Sequence, residues 1–267
     1  MTRSRWFSSL ALAVFVGIGC GSGKPPEASA KTTTAEPAAP MQLAEAPAAA
    51  APVVAGSASV RGTVHLNGTA PKGEVVKMGA DPVCQQQHAT PVVTEEVVAN
   101  AQGGLKNVFV YVKEGLSGSF PAPTTPVVLN QTGCWYQPHV FGIQANQPLE
   151  IVNDDATLHN INAKPTTNQP FNVAQPVKGM KTTKKFTKPE VAVHFKCNVH
   201  PWMSAYVGVV EHPFFAVSGD DGAFSISGLP AGTYVLEAWQ EKYGTQTQKV
   251  TVGDGAAQTV DFTFNAQ

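Results

Sequence analysis

The chain has 267 residues, of which 43% are apolar and 14% charged, and its formal net charge is −1. That length and balance fit one to three small globular domains and exclude a chain disordered throughout. No stripe of lysine and arginine with interleaved aromatics is present, which argues against nucleic acid as a partner.

Residues 1–20 read as a secretory signal, with Arg3 and Arg5 before an apolar run, Leu10 to Ile18, that is too short to span a bilayer. Gly17-Ile18-Gly19-Cys20 resembles the lipobox of bacterial lipoproteins, although Gly17 replaces the usual aliphatic residue. The resemblance implies that Cys20 is lipidated and opens the mature chain, on the cell envelope and facing the periplasm or the exterior. Residues 21–57 are rich in alanine, proline, threonine and glycine and nearly free of large apolar side chains. Such a segment cannot offset the entropy of ordering, so it reads as a tether.

From residue 58 the chain becomes short runs of valine, threonine and aromatics, punctuated by glycine, proline and asparagine, which predicts an all-β class. Expected strands are Ser59 to Leu66, Leu105 to Val112, Pro126 to Leu129, Val140 to Gln144, Leu149 to Asn153, Val191 to Phe195, Tyr206 to Val210, Ala223 to Ile226, Thr233 to Trp239 and Gln246 to Val252. The punctuation separates an opening β-region (58–125), a middle module (126–211) and a closing module (212–267). In the last, Asp220-Asp221-Gly222-Ala223-Phe224 and Leu229-Pro230-Ala231-Gly232-Thr233-Tyr234 are turns leading into strands. They resemble the transthyretin-like, carboxypeptidase-regulatory β-sandwich, which implies a structural or docking module. Ser59-Val60-Arg61-Gly62-Thr63-Val64 is similar to the strand that opens such modules, so the first and last segments are expected to pack together around the middle one.

The stretch Phe195-Lys196-Cys197-Asn198-Val199-His200-Pro201-Trp202-Met203 places thiolate, imidazole and thioether donors in one short loop. Alternation through Val191, Val193, Phe195 and Cys197 aims the cysteine sulfur inward, with His194 and Lys196 on the other face. A second imidazole comes from Asn153-Asp154-Asp155-Ala156-Thr157-Leu158-His159-Asn160. An Asn-x-x-x-x-x-His-Asn run followed by Cys-x-x-His-x-x-Met resembles the cupredoxins of the plastocyanin and amicyanin type. The resemblance implies a Greek-key β-sandwich holding one type 1 copper per chain. His159, Cys197 and His200 would be ligands and Met203 a weak axial one, because soft sulfur suits Cu(I) and imidazole suits both oxidation states. It further implies that Asn160 locks the ligand loops and that Pro201, with Trp202, stiffens and shields the site. His200 is the expected exposed ligand and electron entry point.

Cys84 and Cys134 remain as a candidate disulfide in an oxidising compartment, the alternative being a second metal site with His88 and His139. His65, His194 and His212 form no cluster, and the paired histidines of a second catalytic copper set are missing. The expected function is electron transfer with periplasmic redox proteins, anchored to the membrane by lipid and without a small-molecule substrate or enzymatic turnover. The alternative is a copper carrier or envelope binding module that does not cycle.

Overall fold

The computed structural model describes residues 56–266, so the expected signal segment, Cys20 and nearly all of the tether lie outside the described residues. Its regular structure opens with β1 (Ala58–Asn67), the helix α1 (Pro82–Gln86) and β2 (Phe109–Glu114). There follow β3 (Val127–Gln131), β4 (Tyr136–Gln137), β5 (Val140–Gln144), β6 (Leu149–Asn153), β7 (His159–Lys164), β8 (Phe171–Gln175), β9 (Lys181–Lys184), β10 (Glu190–Lys196) and β11 (Ser204–Val210). The chain then runs through β12 (Phe215–Val217), β13 (Ala223–Leu229), β14 (Gly232–Gln240), β15 (Gly244–Val252), β16 (Ala257–Thr259) and β17 (Phe262–Asn265). The class is all-β, as the valine- and threonine-rich runs predict.

Strands β3 to β11 pair among themselves in two sheets, ordered β4-β3-β6-β9 and β5-β11-β10-β7-β8. Leu129, Leu149 and Ile151 of the first sheet share one buried cluster with Phe141, Ile143, Val193, Phe195 and Val207 of the second, so the sheets close face to face. The early strands β1 and β2 instead join the late ones, in sheets β13-β1-β16, with β17 also on β1, and β12-β2-β14-β15. Val60, Val64, Val110, Phe224, Leu236 and Phe262 fill the core between that pair. The two sandwiches meet where the bare backbones of Gly142 on β5 and Gly208 on β11 receive the rings of Phe215 and Phe109.

Between β1 and β2 the chain makes an excursion with little regular pairing. Its one helix is set by Asp81, whose side chain accepts from the backbone N–H of Val83 and Cys84, with Pro82 at the first helical position. A disulfide joins Cys84 to Cys134 across 50 residues of chain. Closing a loop of that length contributes about 4 kcal/mol through the unfolded state.

Three expectations are corrected. The strand expected from Leu105 begins only at Phe109, because Asn107 takes a left-handed conformation (φ 63°) that an extended strand cannot contain. In β10 the alternation breaks at Val191, since Ala192 has φ 66° and the pairing with β11 shifts register between Glu190 and Val193. That bulge turns Val191 toward the patch around Phe109 and Tyr206. Finally, β7, β8 and β9 occupy a stretch that has no expected strand, because β7 and β9 are largely polar and β8 is a run of only five residues broken by Asn172.

Candidate metal centre

The turn before β7 is organised by Asn153, which is fully buried. Its Nδ2 donates to the carbonyls of Thr157 (3.0 Å) and Gln175 (2.8 Å), and its Oδ1 accepts from the N–H of Asp155 (2.9 Å). His159 then begins β7 facing the core. At the other end, β10 finishes at Lys196 and its alternation buries Cys197. The loop that follows closes on itself, with N–H of Met203 donating to the carbonyl of His200 (2.9 Å) and N–H of Cys197 to that of Met203 (3.3 Å). The N–H of His200 points at Cys197 Sγ, 3.4 Å away. Asn160 bridges the two ligand-bearing segments by accepting the N–H of Asn198 at 2.5 Å and donating to Asn172.

These constraints bring His159, Cys197 and His200 together. Nδ1 of His159 faces Nδ1 of His200 at 3.0 Å, Cys197 Sγ lies 3.8 Å from Nδ1 of His200, and the three donors all fall within 4.8 Å of one another. All three residues are buried, and Met203 is fully buried at the end of the same loop. Pro201 is exposed and Trp202 half-buried, its Nε1 donating to the carbonyl of Cys134 at 3.0 Å and its ring 5.1 Å from that of His200. One sulfur and two imidazole nitrogens, converging in a buried pocket, fit copper or zinc, and the thiolate with a buried thioether in the same loop favours copper.

The electrostatics suit a thiolate. Burial pushes the Cys197 thiol up, but hydrogen bonds from His159, then His200, then the backbone of His200 and Asn160 outweigh it and bring it down to about 6. Burial depresses His159 and His200, yet the Asp155 bond at the first and the Cys197 and Asp81 bonds at the second leave both above the ordinary imidazole value.

Two carboxylates complete the site beyond the expected ligands. Nε2 of His159 lies 2.8 Å from Asp155 Oδ2, and Nε2 of His200 lies 2.9 Å from Asp81 Oδ2. The second contact overturns an expectation: His200 is only 2% exposed, because the excursion carrying Asp81 and α1 covers the edge expected to face solvent. The alternative metal site is likewise not assembled. His88 Nε2 bonds the carbonyl of Gly133 (2.7 Å), and His139 lies between the carbonyl of Ser204 and Glu241, so neither joins the bridged cysteines. Asp155 lay in view inside the Asn153–His159 stretch. Asp81 was signalled only by its place before Pro82 and Cys84.

Residues 201–265 match the family model of the carboxypeptidase regulatory-like domain. That match starts inside the ligand loop and leaves out β1 and β2, which the sheets of the late strands include. Among solved structures, a copper-containing nitrite reductase (NirK) from Thermus scotoductus SA-01 is 24% identical over 38% of this chain, with a TM-score of 0.31. This chain spans 25% of that enzyme's length. A purple cupredoxin from Nitrosopumilus maritimus is 22% identical over 32% of this chain and 97% of its own, with a TM-score of 0.27. A methionine-to-alanine mutant of amicyanin in its Cu(I) form is 18% identical over 31% of this chain and 80% of its own, at 0.28. No protein of curated function matches the sequence.

Proposed function

We propose that this chain is a single-copper electron carrier, in which His159, Cys197 and His200 would hold the metal, Met203 would add a weaker thioether donor, and no substrate is turned over. The observation that carries the reading is the convergence of two imidazole Nδ1 atoms and one thiolate sulfur in a buried pocket. Copper held there supplies a one-electron couple between Cu(I) and Cu(II). The protein's part is to keep the donor set fixed through Asn153, Asn160 and the closed loop, so that little rearrangement accompanies a change of charge. In the same reading Cys20 carries lipid, the tether spaces the sandwiches from the membrane, and the partners are redox proteins of the periplasm.

In this reading the docking face is formed by Pro201 and Trp202 together with three further apolar residues. Val83, Leu158 and Val199 are 36%, 40% and 45% exposed and lie within two residues of Asp81, His159 and His200, of which His200 touches both of the others. A few exposed apolar side chains suit the small contact area of a brief encounter rather than a stable complex. The closure of His200 also supports a second reading, a copper carrier that does not cycle.

The test is the visible and EPR spectrum of the copper-loaded chain. An intense thiolate-to-copper band is expected, and Cys197→Ser is expected to abolish it; a Cys197→Ser variant that stays equally coloured sinks the ligand assignment. Reversible reduction and reoxidation separates the carrier of electrons from the carrier of copper.

A further inference from the structure

Both imidazoles that converge on Cys197 have a carboxylate behind them. Asp155 Oδ2 stands 2.8 Å from Nε2 of His159, and Asp81 Oδ2 stands 2.9 Å from Nε2 of His200, while the Nδ1 atoms point the other way, at each other. Neither carboxylate is loose. Asp155 accepts the N–H groups of Gly133 (2.9 Å) and Cys134 (2.7 Å). Asp81 accepts those of Val83 (2.9 Å) and Cys84 (3.3 Å) and the hydroxyl of Thr157 (2.9 Å).

The two holding segments share a feature. Cys84 gives its N–H to one carboxylate and Cys134 gives its N–H to the other, and these two residues are the partners of the disulfide. One covalent bond therefore fixes the spacing of both carboxylates. Cys84 Sγ itself lies 3.5 Å from Nε2 of His200, which places the bridge directly behind the ligand ring.

Resting on the copper reading above, we infer that Asp81 and Asp155 are positioning residues, tied together by the Cys84–Cys134 bridge, that hold both imidazoles by Nε2 and bias the bound copper toward Cu(II). A carboxylate accepting from Nε2–H makes the opposite nitrogen a stronger donor. Stronger donation stabilises the more highly charged Cu(II) more than Cu(I), and burial strengthens the effect.

Asp81→Asn and Asp155→Asn keep side-chain volume and an acceptor oxygen but remove the charge. In the copper-loaded full chain each is expected to retain the thiolate band while weakening Cu(II) about tenfold relative to Cu(I). That ratio is a rise of about 59 mV in a one-electron potential. Replacing both Cys84 and Cys134 by alanine is expected to move the potential in the same direction. Folded, coloured Asp81→Asn and Asp155→Asn variants with the wild-type potential overturn the inference. Should a variant not fold, NMR of the reduced, diamagnetic wild-type protein decides: slowly exchanging Nε2–H protons on both histidines support the clamp, and rapid exchange at either overturns it. Loss of the copper band from the wild type would instead defeat the functional reading, so the two failures are told apart.

Discussion

Asn153 does the most at the scale of one residue, because a single fully buried side chain makes three hydrogen bonds that shape the turn between β6 and β7. Removing it leaves the carbonyls of Thr157 and Gln175 and the N–H of Asp155 without their partner inside the sandwich. Asn153→Ala is expected to cost about 2–4 kcal/mol, three bonds at about 1 kcal/mol each. Asn153→Asp is expected to be no milder, since it loses both Nδ2 donors and adds a buried charge. Chemical denaturation of the metal-free chain checks both, and a loss under about 1 kcal/mol for Asn153→Ala contradicts this account. The same residue shows what could be read in advance. Asn153, His159, Asn160, Cys197, His200 and Met203 lie in two short runs whose residue types and spacing carry chemistry by themselves. Asp81 lies 119 residues from the histidine it touches, and no local pattern encodes a contact that only the excursion between β1 and β2 creates.

Among the elements, β5 and β11 are unusual in each spending a mid-strand position on glycine where the second sandwich arrives. A Cβ on Gly208 would stand 2.2 Å from the ring of Phe109, and one on Gly142 would stand 2.3 Å from that of Phe215. Phe109 is fully buried, so its ring has little room to retreat. Gly208→Ala is expected to destabilise the protein by about 1–3 kcal/mol through overpacking. Phe109→Leu in the same chain is expected to recover part of that loss, and a double-mutant cycle with additive energies would show the clash is not the cause. Legibility at this scale followed polarity. Strands β5 and β6 coincide with the runs predicted at Val140 to Gln144 and Leu149 to Asn153, because apolar residues dominate both. In β7, His-Asn-Ile-Asn-Ala-Lys buries a histidine and an asparagine, and in β9 Lys-Thr-Thr-Lys has no buried residue, so hydropathy carries little strand signal in either. The early and late segments resemble one module in sequence, and the register of β1 against β13, β16 and β17 is what joins them.

Across the whole molecule the two sandwiches are also joined by a buried ion pair. His139, between β4 and β5, presents Nδ1 to the carbonyl of Ser204 at 3.0 Å and Nε2 to Glu241 Oε1 at 2.7 Å, and Glu241 belongs to the turn between β14 and β15. Both ring nitrogens face acceptors, so only the imidazolium satisfies both. Burial pushes His139 down, but the bond to Glu241, its charge, the charge of Glu95 and the Ser204 carbonyl together raise it above the ordinary 6.5. A group raised on folding contributes stability that is fully present below 6.5 and is lost as pH climbs through the folded value. Tyr206, in ring contact with His139, and His194, stacked on Tyr206, do not blur this window, since burial first and then nearby lysines hold His194 down at about 4, and burial with Glu241 pushes Tyr206 up to about 12. Glu241→Gln removes the charge that sustains the imidazolium and leaves burial as the dominant influence. Its cost, read as the difference in denaturation midpoint from the wild type, is therefore expected to be largest near about pH 6 and to shrink as the pH rises through the folded value of His139. Titrations at Cys197, His159 and His200 are common to both proteins and cancel in that difference. Curves that run parallel across the window would mean that His139 is neutral in the folded chain, and that the sandwiches are held by Phe109, Phe215 and their glycines without help from charge.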